Sequence, residues 1–149
     1  MRKKSDAQIY LSQPERLDAQ IRSKLVEKQQ WRDMALGITA NMEGERVQSS
    51  GTKSKMANAI EKCVDMEREI DALIDKLIDT KKEVISTIEQ VSSASEYELL
   101  HMRYIQYIPL KDIAVMWKTE YTNITSCHGR ALKSVQSVLD ERKSVTSGD

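Results

Sequence analysis

Apolar residues recur along the chain in helical steps, and one long run dominates. From about 55 to 91, Met56, Ile60, Cys63, Glu67, Ile70, Ile74, Leu77, Lys81, Val84, Ile88 and Val91 follow at alternating intervals of four and three. That is a heptad seam over five repeats. Val64, Leu73, Ile78 and Ile85 widen the stripe, a breadth that suits packing against more than one helix. No Gly or Pro interrupts the segment, so the pattern predicts a single helix of roughly 55 Å at 1.5 Å per residue. Glu67 and Lys81 are polar positions on the seam. Either they reach solvent at open ends of the contact, or they fix register or partner choice.

A shorter pattern precedes it. Ser12-Gln13-Pro14-Glu15 reads as a helix start, with Ser12 as cap, Glu15 completing a capping box and Pro14 tolerated in the first turn. Leu17, Ile21 and Leu25 step by four, and Trp31, Ala35 and Ile38 continue on a neighbouring stripe. Residues 1–11 carry no such pattern and read as loosely ordered, and residues 39–54, polar and small, read as a surface loop. The segment 12–91 is therefore a long helical hairpin, whose two helices the loop allows to pair within one chain or between two. Glu67, Asp71, Asp75, Asp79 and Glu83 form an acidic row on the second helix. Each step of four drifts about 40° round a helix, so the row wraps the surface as a solvated face, partly matched by Lys24, Lys28 and Arg32, and does not make a compact metal site.

Past Val91-Ser92-Ser93-Ala94-Ser95 the spacing changes. Ser95 and Glu98 read as a second capping box opening a helix at about 96–107. Pro109 punctuates it, two further helices are predicted at about 110–117 and 121–139, and residues 140–149 read as a frayed tail.

Composition supports an all-α reading. Five Gly and two Pro in 149 residues are too few for the turns of a sandwich or barrel. Phe is absent, which leaves Leu, Ile, Val, Met and Ala to build the core. The formal charge is zero, from 23 Lys+Arg against 23 Asp+Glu, and this argues against polyanion binding by bulk charge. Cys63 and Cys127 stand alone, without the spacing of a zinc site or a disulfide framework, as expected for a reducing cytoplasm. No signal peptide or stretch of 18 apolar residues is present, so neither secretion nor a membrane partner is expected. Enzyme chemistry finds no foothold: there is no Gly-rich phosphate loop and no His-x-x-x-His pair. Cys127 and His128 are neighbours on a predicted helix, where side chains diverge by about 100°, so they make a poor nucleophile–base pair. Neither a catalytic residue, a cofactor nor a metal is expected.

The informative stretch is 95–139. Ile113-Ala114 and Ile124 are about ten residues apart, a spacing that suits two short helices crossed at a tight turn. Ile124, Cys127 and Ala131 would hold the second helix against the first, leaving its outer face for a DNA groove. The alternative is a plain three-helix subdomain that binds nothing. Gly129 lies inside the second helix, for close packing or for close approach of a DNA backbone.

Three blocks carry a resemblance. They are Tyr97-Glu98-Leu99-Leu100-His101-Met102-Arg103-Tyr104-Ile105, then Leu110-Lys111-Asp112-Ile113-Ala114, then Ile124 with His128-Gly129-Arg130-Ala131-Leu132-Lys133. Together they resemble region 4 of bacterial sigma factors. The chain is similar to small phage and prophage proteins with a sigma-region-4-like C-terminus, grouped with the ArpU- and RinA-type late transcription regulators. The motifs span about 40 residues. The resemblance implies a helix-turn-helix that reads promoter-like double-stranded DNA in the host cytoplasm, with RNA polymerase as a further candidate partner. By position it places Tyr121, Thr122, Thr125 and Ser126 toward base edges, Arg130 and Lys133 toward phosphates, and Asn123 within reach. The family pattern has Gly where this chain has Lys118, and Ser or Thr where it has Glu120, with Thr119 as a substitute cap. The base-facing set contains no Arg, Lys or Gln, so direct readout would rest on Asn123 and DNA shape. Residues 95–139 carry a single net positive charge. A homodimer through the 56–91 helix, or docking on polymerase, would add the second contact that such a module needs.

The expectation is thus a phage-type DNA-binding transcription regulator. Two alternatives stand beside it: an interaction adaptor using the 56–91 seam, with a non-binding helix-turn-helix, and a small-terminase-like DNA-packaging protein.

Overall fold

The computed structural model describes residues 3–44 and 50–147, and every regular element among them is helical. In chain order these are α1 (Asp6–Leu11), α2 (Gln13–Gly44), α3 (Ser50–Glu89), α4 (Ala94–Leu100) continued by a π-helical turn at His101–Ile105, α5 (Leu110–Met116) and α6 (Tyr121–Ser147). The all-α class follows the composition. The chain divides into two compact units. One comprises Leu17–Lys76; the other combines Met1–Arg16 with Leu77–Asp149. The pattern of the sequence places a boundary at 91–95, whereas the contacts place it inside α3.

Leu17–Lys76 is an antiparallel helix pair. Lys24 Nζ lies 2.8 Å from Glu69 Oε2, Lys28 Nζ lies 2.9 Å from Glu67 Oε1, and Cys63 Sγ donates to the Lys28 carbonyl at 3.8 Å. Residue numbers rise on α2 as they fall on α3, which fixes the antiparallel sense. The Lys28 ammonium, by hydrogen bond and charge, lowers the Glu67 carboxyl below the usual range, and Lys24 does the same for Glu69. These pairs are exposed and contribute little to stability; they record the register. Glu67, a polar seam position, thus reaches α2 of its own chain.

The heptad seam holds only in part. Positions 56, 63, 70, 77 and 84 face inward as expected, and so do Ile88 and Val91, but up to residue 80 their companions on the seam are one residue earlier. Ala59, Met66 and Thr80 are buried, while Ile60 and Ile74 are exposed. Both sets satisfy the alternation of three and four. The small Ala59 and the short Thr80 suit a face where two helices approach closely, and the larger Ile side chains are left outside. The expected loop also shrinks. Residues 39–44 close α2 and residues 50–54 open α3, while 45–49 lie outside the described residues.

The other unit is built on two cores. Val84, Ile88 and Val91 meet Leu100, Tyr104, Ala131 and Val135 in the first. Leu99, Met102, Ile113, Ala114, Ile124 and Cys127 form the second. Leu99 and Leu100, adjacent in sequence, serve different clusters, so α4 lies between them. Residues 6–11, expected to be loose, form α1. Its Ala7 and Leu11 sit fully buried in the first core. Gln136 Oε1 accepts from the Ala7 amide at 3.1 Å, and Tyr10 Oη meets Thr87 Oγ1 at 2.8 Å. A six-residue element is too short to show a period. The Ser12 hydroxyl donates back to the Gln8 carbonyl at 2.7 Å; it therefore serves the end of α1, and the expected capping box does not form. Glu15 instead lies 3.3 Å from Arg103 Nη1. The second capping residue is Ser93, whose hydroxyl accepts from the Glu96 amide, two residues earlier than expected. The tail also differs, since α6 continues to Ser147 and Leu139 packs against the first core.

The turn between α5 and α6 is closed by its backbone. Lys118 N donates to the Val115 carbonyl at 3.1 Å and Thr119 N to the Ala114 carbonyl at 3.0 Å. This is the paired bonding of a Schellman motif, which needs a left-handed residue at Lys118, where φ is 53°. A side chain there is strained by about 1 kcal/mol relative to Gly. Lys118→Gly should therefore raise stability by up to about 0.5 kcal/mol, after allowance for the freer unfolded chain, read as a higher urea midpoint with unchanged slope.

Candidate functional site

The second core positions α6 by one stripe. Ile124 and Cys127 enter it, and Ala131 and Val135 continue the stripe into the first core. Partly buried Trp117, Ile108 and Leu110 pack around the second core. The opposite side of α6 is left to solvent. At about 100° per residue, Thr122, Ser126, Gly129 and Lys133 fall within roughly 60° of arc there, and all four are exposed. Thr125 and Arg130, also exposed, flank this arc on its two sides. Five of the seven candidate contact residues thus share one continuous face.

Tyr121 and Asn123 diverge from it. They sit about 100° to either side of Thr122. Tyr121 is 47% exposed. The Asn123 side-chain amide donates to Thr119 Oγ1 at 3.0 Å, and Thr125 Oγ1 donates to the Thr122 carbonyl at 2.9 Å. Thr119 thus takes up the Asn123 side chain. The α6 backbone begins on the Glu120 carbonyl, which accepts from the Asn123 and Ile124 amides.

Charge around this face is modest. Lys111, Lys118, Arg130 and Lys133 are exposed, as are Glu98, Asp112 and Glu120. Arg103 is committed elsewhere: besides Glu15, its guanidinium stands 5.4 Å from the Tyr104 ring centroid. Glu96 accepts from the Ser134 hydroxyl at 2.6 Å.

Behind the face lies a polar contact that the sequence pattern does not announce. Tyr104 Oη meets His128 Nε2 at 2.6 Å, with the rings stacked at 5.7 Å. Burial pushes the Tyr104 phenol up to about 12, so it keeps its proton. Burial, and then the nearby Arg103 charge, lowers His128, which favours the neutral ring. A protonated phenol and a neutral imidazole share this hydrogen bond, with the imidazole tautomer setting which of them donates. His128 is thereby fixed as a strut between α6 and the π-helical turn. Its ring is engaged with Tyr104, and Cys127 is buried beside it in sequence. No pairwise spacing signals this contact, because its members are 24 residues apart.

Gly129 has no packing reason to be Gly. A Cβ built there meets nothing within 4 Å, so close helix packing does not explain it. No group of three or more His, Cys, Asp or Glu side chains gathers in a metal-holding arrangement among the described residues. Nor is any described helix long and apolar enough to cross a membrane. No family model, curated protein or solved structure matches the chain.

Proposed function

We propose that this chain is a sigma-region-4-like, DNA-binding transcription regulator that lays the outer face of α6 in a major groove. The observation that carries the reading is the tight turn at Trp117–Glu120, which sets α6 against α5 with Thr122, Ser126, Gly129 and Lys133 facing outward. Thr122, Thr125 and Ser126 are then the base-facing groups, and Arg130 and Lys133 contact phosphates. Asn123 and Tyr121 reach only the edges of the groove. The ordered sequence blocks in 97–133 support the same reading. With few cations on the face, affinity is weak for a single module and strongly salt-dependent, so a second contact is needed, from another copy of the chain or from RNA polymerase.

A protein-binding role is favoured by a different observation. Val115 and Met116 on α5 are 76% and 57% exposed, as apolar side chains at a protein contact are before docking.

Gly129 provides the test. Mid-helix Gly costs roughly 1 kcal/mol relative to Ala, and space for the methyl is open. The whole protein should retard promoter-like DNA in a low-salt gel. Gly129→Ala should stabilise the fold by about 0.5–1 kcal/mol yet weaken the retardation, since the added methyl stands where a DNA backbone approaches. Failure of the unaltered protein to retard DNA at low salt contradicts the reading.

A further inference from the structure

The Leu17–Lys76 helix pair leaves several large apolar side chains exposed, of which Val26 and Met34 lie on other sides of α2. Leu25, Leu36, Ile60, Val64 and Ile74 are each between 39% and 61% exposed. On α2, Leu25 and Leu36 lie about 40–60° past the buried position Ile21 in the direction of rising residue number, and on α3, Ile60, Val64 and Ile74 lie about 40–120° past Ile70 in the same sense. In antiparallel helices that sense of rotation leads to the same side of the pair. The five side chains therefore form one face. The Lys24–Glu69 and Lys28–Glu67 contacts set Leu36 level with Ile60 and Leu25 between Val64 and Ile74. The patch is roughly 24 Å long at 1.5 Å per residue.

We infer that this face is covered by a second copy of the chain, giving an antiparallel four-helix bundle. The inference deepens the dimer included in the proposed function. Charge selects the occupant. Beside the patch, α2 carries exposed Arg22 and Asp33 and α3 carries exposed Asp71, while Glu67 is paired with Lys28 of its own chain. A two-fold axis parallel to the helices lays α2 of one copy over α3 of the other. The same register then brings Arg22 of one copy level with Asp71 of the other and Leu36 level with Ile60. Area agrees. The five side chains expose roughly 450 Å² per copy, and at the apolar share of a homodimer interface this corresponds to roughly 1,400 Å² in total, within the range of stable dimers.

Sedimentation equilibrium of the whole protein without DNA tests the inference. The expected mass is twice that of the chain at micromolar concentration. Ile60→Glu/Ile74→Glu should raise the dimer dissociation constant by at least about a hundredfold with unchanged helical circular dichroism, because both side chains are exposed in the single chain. Arg22→Glu should weaken the dimer, and Arg22→Glu/Asp71→Arg should restore it. A wild-type mass of one chain, including one that rises only on adding a different protein, overturns the inference. So does a dimer unaffected by the Ile substitutions. Because no DNA is present, a dimer that ignores DNA leaves this inference standing, and a monomer that binds DNA defeats it alone.

Discussion

Ile113→Ala should lower the stability of the unit that carries α5 and α6 by about 3–4 kcal/mol. Ile113 is fully buried in the second core, among Leu99, Met102, Ala114, Ile124 and Cys127. Truncation removes three methyl or methylene carbons and leaves a cavity between helices too short to collapse onto it. A loss of that size shifts the folding equilibrium by at least a hundredfold. The two tryptophans fall in different units, with Trp117 packed against the second core and Trp31 on α2. Fluorescence of Trp117 in a Trp31→Phe background reports the loss where it occurs. Denaturation midpoints by urea should fall accordingly. A control at exposed Ile74, replaced by Ala and measured as monomer, should stay within about 0.5 kcal/mol. An Ile113→Ala midpoint equal to that of the parent would mean that the α5–α6 packing is not as described.

Arg130→Ala/Lys133→Ala should leave the fold intact and weaken DNA binding by roughly ten- to a hundredfold at low salt. Both side chains are exposed on α6, so their removal should cost no more than about 0.5 kcal/mol of stability. On the proposed DNA-binding reading, their contribution is counterion release from two phosphates. Each contact contributes about 0.9 to the slope of log affinity against log salt. The variant should therefore show a slope shallower by about 1.8 and an affinity that converges on that of the parent as salt rises. Loss of affinity with an unchanged slope would instead point to a packing change.

Much of the C-terminal half was legible from sequence because its punctuation is strong. Pro109, the Ile113–Ile124 gap and the stripe through Ala131 define α5 and α6 to within a residue at the turn between them. The end of α6 is not marked in the sequence, because Asp140-Glu141-Arg142-Lys143 carries no apolar period, although Glu141, Arg142 and Lys143 are good helix formers. In α3, two seams satisfy the same spacing, and only tertiary packing decides that Ala59 and Met66 go inward and Ile60 stays out. α1 was illegible for a related reason: its helix is shorter than two turns, and Ala7 and Leu11 gain their meaning from Val84, Ile88 and Gln136, far away in the chain. In the candidate site, the resemblance to sigma region 4 pointed to Thr122, Thr125, Ser126, Arg130 and Lys133, and helical geometry puts them on one face. It did not show that Asn123 turns toward Thr119, nor that Tyr104 braces His128 from behind. The strain at Lys118 was also hidden, because it resides in a backbone angle that Lys ordinarily avoids.

On the proposed reading, the outer face of α6 contacts DNA. The most direct measurement is fluorescence anisotropy of a labelled promoter-like duplex, titrated with the parent protein and with Arg130→Ala/Lys133→Ala at several salt concentrations. The account predicts parent binding that falls steeply with salt, and a variant that binds more weakly with a slope reduced by about 1.8. Parent and variant curves that coincide at every salt concentration, or no binding by either at the lowest, would contradict it.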